Sequence, residues 1–140
     1  MSKAKTLAQL NHLSLNTLMQ TLEIEYIDYG DDYLVAKMPV TSKVYQPNGI
    51  LHGGATVALA ESVGSAASHL FFDNSEFEIR GIEISANHIK SVKEGFIFAT
   101  ARILHKGRTT QLWEIKVTNS QNQLVSLCKL TTIALKRNNF

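Results

Sequence analysis

The chain has 140 residues, enough for one domain that buries roughly two-thirds of its unfolded surface without a disulfide or a structural metal. Its 44% hydrophobic and 19% charged content is that of an ordinary globular chain and excludes a disordered or low-complexity one. The net charge is only +2 and the basic residues are scattered, so there is no stripe for a phosphate backbone and nucleic acid is not an expected partner.

Leu7, Leu10, Leu13, Leu15, Leu18, Met19 and Leu22 recur at spacings of three and four for much of their run, which predicts one or two short helices, with Asn11 or Ser14 able to cap the second. Residues 23–29 alternate, Gly30-Asp31-Asp32 is a turn signal, and residues 33–40 return as the second strand of a hairpin. After the break at Pro47-Asn48-Gly49, small and apolar residues fill almost every position from 50 to 72. This predicts one long helix, apolar nearly all the way round and therefore enclosed. From Glu78 onward the period changes to two. Strands are expected over 79–89, 96–104, 109–119 and 124–135, separated by turns at Lys93-Glu94-Gly95, Lys106-Gly107-Arg108 and 119–122. The order implies an α+β fold, an antiparallel sheet wrapped around a single helix, with one domain spanning 1–140.

No run approaches the roughly 18 apolar residues of a membrane span, and residues 1–5 precede no hydrophobic signal core, so no membrane partner is expected. Cys128 is the only cysteine, which excludes an internal disulfide and a multi-thiolate metal site and fits a reducing, cytoplasmic compartment. Among Val125, Leu127 and Leu130 it is read as an inert, buried strand residue. Histidines 12, 52, 69, 88 and 105 lack metal-ligand spacing, so no metal is expected. No G-x-S-x-G elbow, dinucleotide fingerprint or Walker pattern is present, and Gly64-Ser65 falls deep inside the long helix.

Glu61 is the only Asp, Glu, Lys or Arg between Ile50 and Phe72. Burying an unpaired carboxylate costs several kcal/mol, so a lone acid in an enclosed helix marks a functional site; the alternatives are a solvated helix edge or a structural ion pair. Ser65, one turn on, is placed to hold Glu61 or a water, whereas Ser62 is read as bonding back to its own helix. His52-Gly53-Gly54 stands at the helix start, where N–H groups lack intrahelical partners and the dipole favours negative charge. A carbonyl placed there would be polarised, and glycine lets it approach; Gly54 alone serves the turn.

The run from Gln46-Pro47-Asn48-Gly49-Ile50-Leu51-His52-Gly53-Gly54-Ala55 to Ala60-Glu61-Ser62-Val63-Gly64-Ser65 resembles the hotdog-fold acyl-CoA thioesterases. The likeness is greatest to the branch of 1,4-dihydroxy-2-naphthoyl-CoA and enterobactin proofreading thioesterases. It covers nearly the whole chain, with Ile84-Ser85-Ala86-Asn87-His88 opening the strand run. The resemblance implies that Gly53 donates its N–H to the thioester oxygen, that the Gln46 amide assists, and that Glu61 activates water or attacks to form an anhydride. It puts His52 near the sulfur, a simple helix cap being the alternative. His88 matches a residue near the acyl pocket or pantetheine arm and is otherwise strand filler. Lys90, Lys93, Lys106 and Arg108 are candidates for the coenzyme A phosphates, with Ser62 counted among the substrate-lining residues. The implied substrate is an aromatic acyl-CoA in the menaquinone manner, with no cofactor beyond the coenzyme A of the substrate. Rival readings are a non-catalytic acyl-binding hotdog domain and a dehydratase acting on acyl carrier protein.

Gly53 and Glu61 are eight residues apart, about 12 Å along one helix axis and turned roughly 80°. A glutamate cannot span that gap, so both act on one carbonyl only if the acid comes from a second chain. The expected partner is another copy of the protein, in a two-fold dimer with antiparallel helices; the resemblance adds a doubling to a tetramer.

Overall fold

The computed structural model describes residues 1–72 and 75–139. Helix α1 (Lys3–Leu13) starts at Ser2, whose Oγ accepts the Lys5 N–H at 3.2 Å, and ends at Ser14. Helix α2 (Leu18–Thr21) is a single turn capped by Thr17, which replaces Asn11 and Ser14 in the expected capping role. Asn11 is committed elsewhere: its side chain donates to the Tyr26 carbonyl at 3.0 Å and accepts the Tyr26 N–H at 2.8 Å, tying α1 to the first strand.

Strands β1 (Glu25–Tyr29) and β2 (Tyr33–Pro39) form the expected hairpin, with a bulge between Tyr26 and Asp28. Helix α3 (Gly53–Phe71) begins three residues later than the apolar run suggests. Gly49 has φ +76°, a left-handed turn; Gln46 N–H donates to the Ile50 carbonyl at 2.8 Å, and Tyr45 bridges Leu51. Leu51 is buried and its N–H donates to the Val92 carbonyl at 2.8 Å, so Ile50 and Leu51 close a small loop instead of opening the helix. Strands β3 (Phe77–His88), β4 (Phe96–Lys106), β5 (Thr110–Asn119) and β6 (Leu124–Lys136) follow within two residues of the sequence boundaries.

All six strands join one antiparallel sheet in the order β1-β2-β4-β5-β6-β3. The sheet curls round one side of α3, and Leu59, Val63 and Ala67 fill the core with Leu34, Met38, Ile97, Ile115 and Leu130. Helix and sheet approach closely at Gly64, where a Cβ would lie 2.5 Å from Leu130 Cδ2. The one buried indole is satisfied: Trp113 Nε1 donates to Thr132 Oγ1 at 3.2 Å, which donates on to Gln111 Oε1 at 2.7 Å. Cys128 is fully buried, and burial pushes its thiol up to about 11.

The expectation of an enclosed helix fails for the single chain. Only the inner face of α3 is covered, while Gly54, Glu61 and His69 on the outer face are exposed. A six-stranded sheet with β3 ending at one edge covers one side of a helix and leaves the other to whatever lies beyond. That edge is long, twelve residues of β3, with Ile82 56% exposed beside a bulge between Gly81 and Glu83.

Candidate active site at the start of α3

The entry to α3 distributes its backbone donors unequally. His52 caps the helix: its Nδ1 accepts the Gly54 N–H at 2.8 Å, and its carbonyl accepts from Ala55 and Thr56. His52 N–H donates to the Val44 carbonyl at 2.8 Å. Gly53 is left over. Among the described residues its N–H has no acceptor, at the positive end of a 19-residue helix.

Gln46 is poised beside it. Its Oε1 accepts the Asn48 N–H at 2.9 Å, so the amide NH2 is the end left to meet a ligand. Gln46, Gly53, Thr56, His88, Lys90 and Ser126 line a cleft of about 260 Å³. The His88 ring lies against Gly53 so closely that a Cβ there would be 2.8 Å from Nε2. A side chain at 53 would have to displace that ring.

Because its Nδ1 accepts from Gly54, neutral His52 carries its proton on Nε2. The cap and a role near a sulfur atom use different nitrogens and are compatible.

Glu61 lies in another place. It lines a separate, larger and mainly apolar cavity of about 540 Å³ with Leu10, Met19, Tyr26, Ser65 and His69. Among the described residues no cation and no hydrogen-bond donor pairs with its carboxylate. Gly81 of β3 makes room for it: a Cβ at 81 would be 3.2 Å from Glu61 Oε2 and 3.9 Å from Ser65 Oγ. Ser62 Oγ donates to the Ala58 carbonyl at 2.6 Å, the back-bond expected of it, and the Ser62 carbonyl accepts from Tyr26 O–H at 3.3 Å. Burial pushes that phenol up to about 12. The Ser65 hydroxyl has no partner among the described residues and stays available beside the acid.

The structure thus groups Gln46, Gly53, His88 and Lys90 in one cleft and Glu61, Ser62 and Ser65 in another. The basic candidates also divide. Lys90 and Lys93 follow β3 at the end where β6 begins, whereas Lys106 and Arg108 lie at the β4–β5 turn, about 35 Å away along an eleven-residue strand. Lys106 Nζ sits 4.5 Å over the Phe72 ring. Sequence reasoning missed Ser126, Thr56 and Gly81. The glycine inside the β3 run was the one visible signal.

The family model for the thioesterase superfamily matches residues 48–126, the stretch that holds the cap, α3 and the strands around the cleft. The chain belongs to the thioesterase superfamily. It is 40% identical to the 1,4-dihydroxy-2-naphthoyl-CoA hydrolase of Escherichia coli, over 93% of this chain and 95% of that protein. A crystallised thioesterase variant from Pseudomonas aeruginosa superimposes with a TM-score of 0.91 at 39% identity, over 93% of this chain and 94% of the other. A Staphylococcus aureus thioesterase, with a TM-score of 0.81 at 41% identity over 85% of this chain and 98% of its own, is known as separate glutamine-to-alanine and glutamate-to-alanine variants fifteen positions apart. The sheet and central helix are the hotdog fold, and the protein is a thioester hydrolase. None of the described helices is long and apolar enough to cross a membrane.

Proposed function

We propose that the protein hydrolyses acyl-CoA thioesters, with aromatic acyl groups such as 1,4-dihydroxy-2-naphthoyl or hydroxybenzoyl preferred, in sites shared by two chains. The unpaired Gly53 N–H at the start of α3 carries this reading, because a developing oxyanion is the partner that donor lacks. The thioester oxygen lies between Gly53 N–H and the Gln46 NH2. Glu61 of the partner subunit takes a proton from water as hydroxide adds to the carbonyl carbon, the C–S bond breaks, and the coenzyme A thiolate leaves and is protonated. In the alternative route the carboxylate itself adds, and water hydrolyses the resulting anhydride.

Several observations support it. Gln46 and Glu61 are fifteen positions apart, the separation of the two residues replaced in the Staphylococcus aureus enzyme. The Escherichia coli relative is named for an aromatic acyl-CoA. The exposed outer face of α3 and the long free edge of β3 are what a second copy would cover, with the two helices antiparallel. Lys90 stands beside the cleft as the first candidate for a coenzyme A phosphate. Thiol release from a panel of aromatic and aliphatic acyl-CoAs and acyl carrier protein thioesters tests the reading. It predicts fastest turnover of an aromatic acyl-CoA; no release above that of a Glu61→Gln protein would overturn it. Single-turnover hydrolysis in oxygen-18 water then separates the routes, since label in Glu61 marks covalent attack.

A further inference from the structure

We infer that Ser126 is a positioning residue: its buried hydroxyl donates to His88 Nδ1 and so fixes the neutral ring as the Nε2–H tautomer, presenting a third donor beside Gly53. His88 and Ser126 are the terminal register pair of β3 and β6, so their side chains rise on the same face of the sheet. The Nδ1 to Oγ distance is 2.7 Å. Ser126 is 0% exposed, and among the described residues its hydroxyl has no partner except this ring. If Nδ1 carried the proton, the serine hydrogen would be left buried without an acceptor, which is the costly way to leave a hydroxyl. Donation from serine satisfies both groups and puts the ring proton on Nε2.

That nitrogen is the atom a Cβ on Gly53 would strike at 2.8 Å. The Nε2–H therefore lies against Gly53, whose N–H is unpaired, in the cleft that Gln46 also lines. The opposite tautomer would turn a lone pair toward the same place and repel a carbonyl oxygen. His88 is exposed, so the buried serine, not packing, holds the tautomer. The inference rests on the carbonyl lying at Gly53, but the tautomer itself is a property of the free protein.

The direct test is nitrogen-15 NMR of the protein labelled in its histidine rings, without substrate, with His88 assigned by the resonances lost in His88→Gln. At a pH where the ring is neutral, His88 should show a protonated Nε2 and an unprotonated Nδ1, and Ser126→Ala should shift it toward a mixture of tautomers. Ser126→Ala should also lower kcat about tenfold with KM little changed, less than the hundredfold or more expected for removing an oxyanion donor outright, and Ser126→Thr should recover most of the loss. A protonated Nδ1 in the unaltered protein, or an unchanged tautomer in Ser126→Ala, would overturn the inference. Because the spectrum needs no turnover, that failure is distinct from failure of the thioesterase site, which Glu61→Gln reports.

Discussion

Leu59, Val63 and Ala67 on the inner face of α3 are wholly buried against the sheet, while Gly54, Glu61 and His69 on the outer face of the same helix are exposed. Both faces are built mostly from small and apolar residues, so composition does not distinguish them. Their covers do. The inner face is completed by the chain's own strands, and its side chains are fixed by packing. The outer face carries the lone carboxylate, eight residues from the unpaired N–H of Gly53, and beside it an unbonded serine over Gly81. One helix therefore serves as core on one face and, in the function proposed above, as part of a site that a second chain would complete on the other.

Substitutions on the two faces should fail in different ways. On the outer face, Glu61→Gln preserves shape and hydrogen bonding but removes base and nucleophile, so kcat should fall about a thousandfold with the melting temperature unchanged; activity within tenfold of the original would remove Glu61 from the chemistry. At the helix start, Gly53→Pro deletes the donor at a position where proline suits a first turn, and turnover should fall by about a hundredfold. Gly53→Ala keeps the N–H but crowds the His88 ring, whose Nε2 would be 2.8 Å from the new Cβ. A loss in Gly53→Ala equal to that in Gly53→Pro would mean that ring placement, not the N–H, is what the glycine protects.

On the inner face the effect moves from rate to stability. Leu59→Ala should cost about 2 to 5 kcal/mol in urea unfolding, because a fully buried leucine leaves a cavity, whereas Ser65→Ala on the outer face should stay within about 0.5 kcal/mol. Equal losses would contradict the division of the helix. A loss smaller than that of Leu59→Ala is expected at the layer over the Glu61 cavity. Asn11→Ala unpairs both backbone groups of Tyr26 and should cost about 1 to 2 kcal/mol, read by the same unfolding measurement.

The strand positions, the hairpin and the central helix were legible because each rests on local periodicity and turn chemistry that the sheet then reinforces. The start of α3 was not, since Ile50 and Leu51 are as apolar as the helix yet are captured by Val92 and by the Gly49 turn. The cap of α2 was misplaced for a related reason: Asn11 bonds a strand fifteen residues away instead of its own helix. Glu61 stood out as the lone charge in an apolar run, and Gly53 and Gln46 through the family resemblance, but Ser126 and Gly81 are ordinary strand residues until the fold places them beside His88 and Glu61. The exposure of Glu61 was misjudged because a helix apolar on both faces does not say which face its own chain covers.

The shared site can be measured by subunit mixing. Glu61→Ala and Gln46→Ala proteins, each inactive alone, are unfolded and refolded together so that half of the dimers carry one of each chain. Every mixed dimer then holds one intact site and one doubly damaged site, and activity should return to about a quarter of the unaltered protein if assembly is random and sites are independent. No recovery, with mixed dimers confirmed by mass, would place Gln46 and Glu61 of a single chain on one substrate and contradict the account.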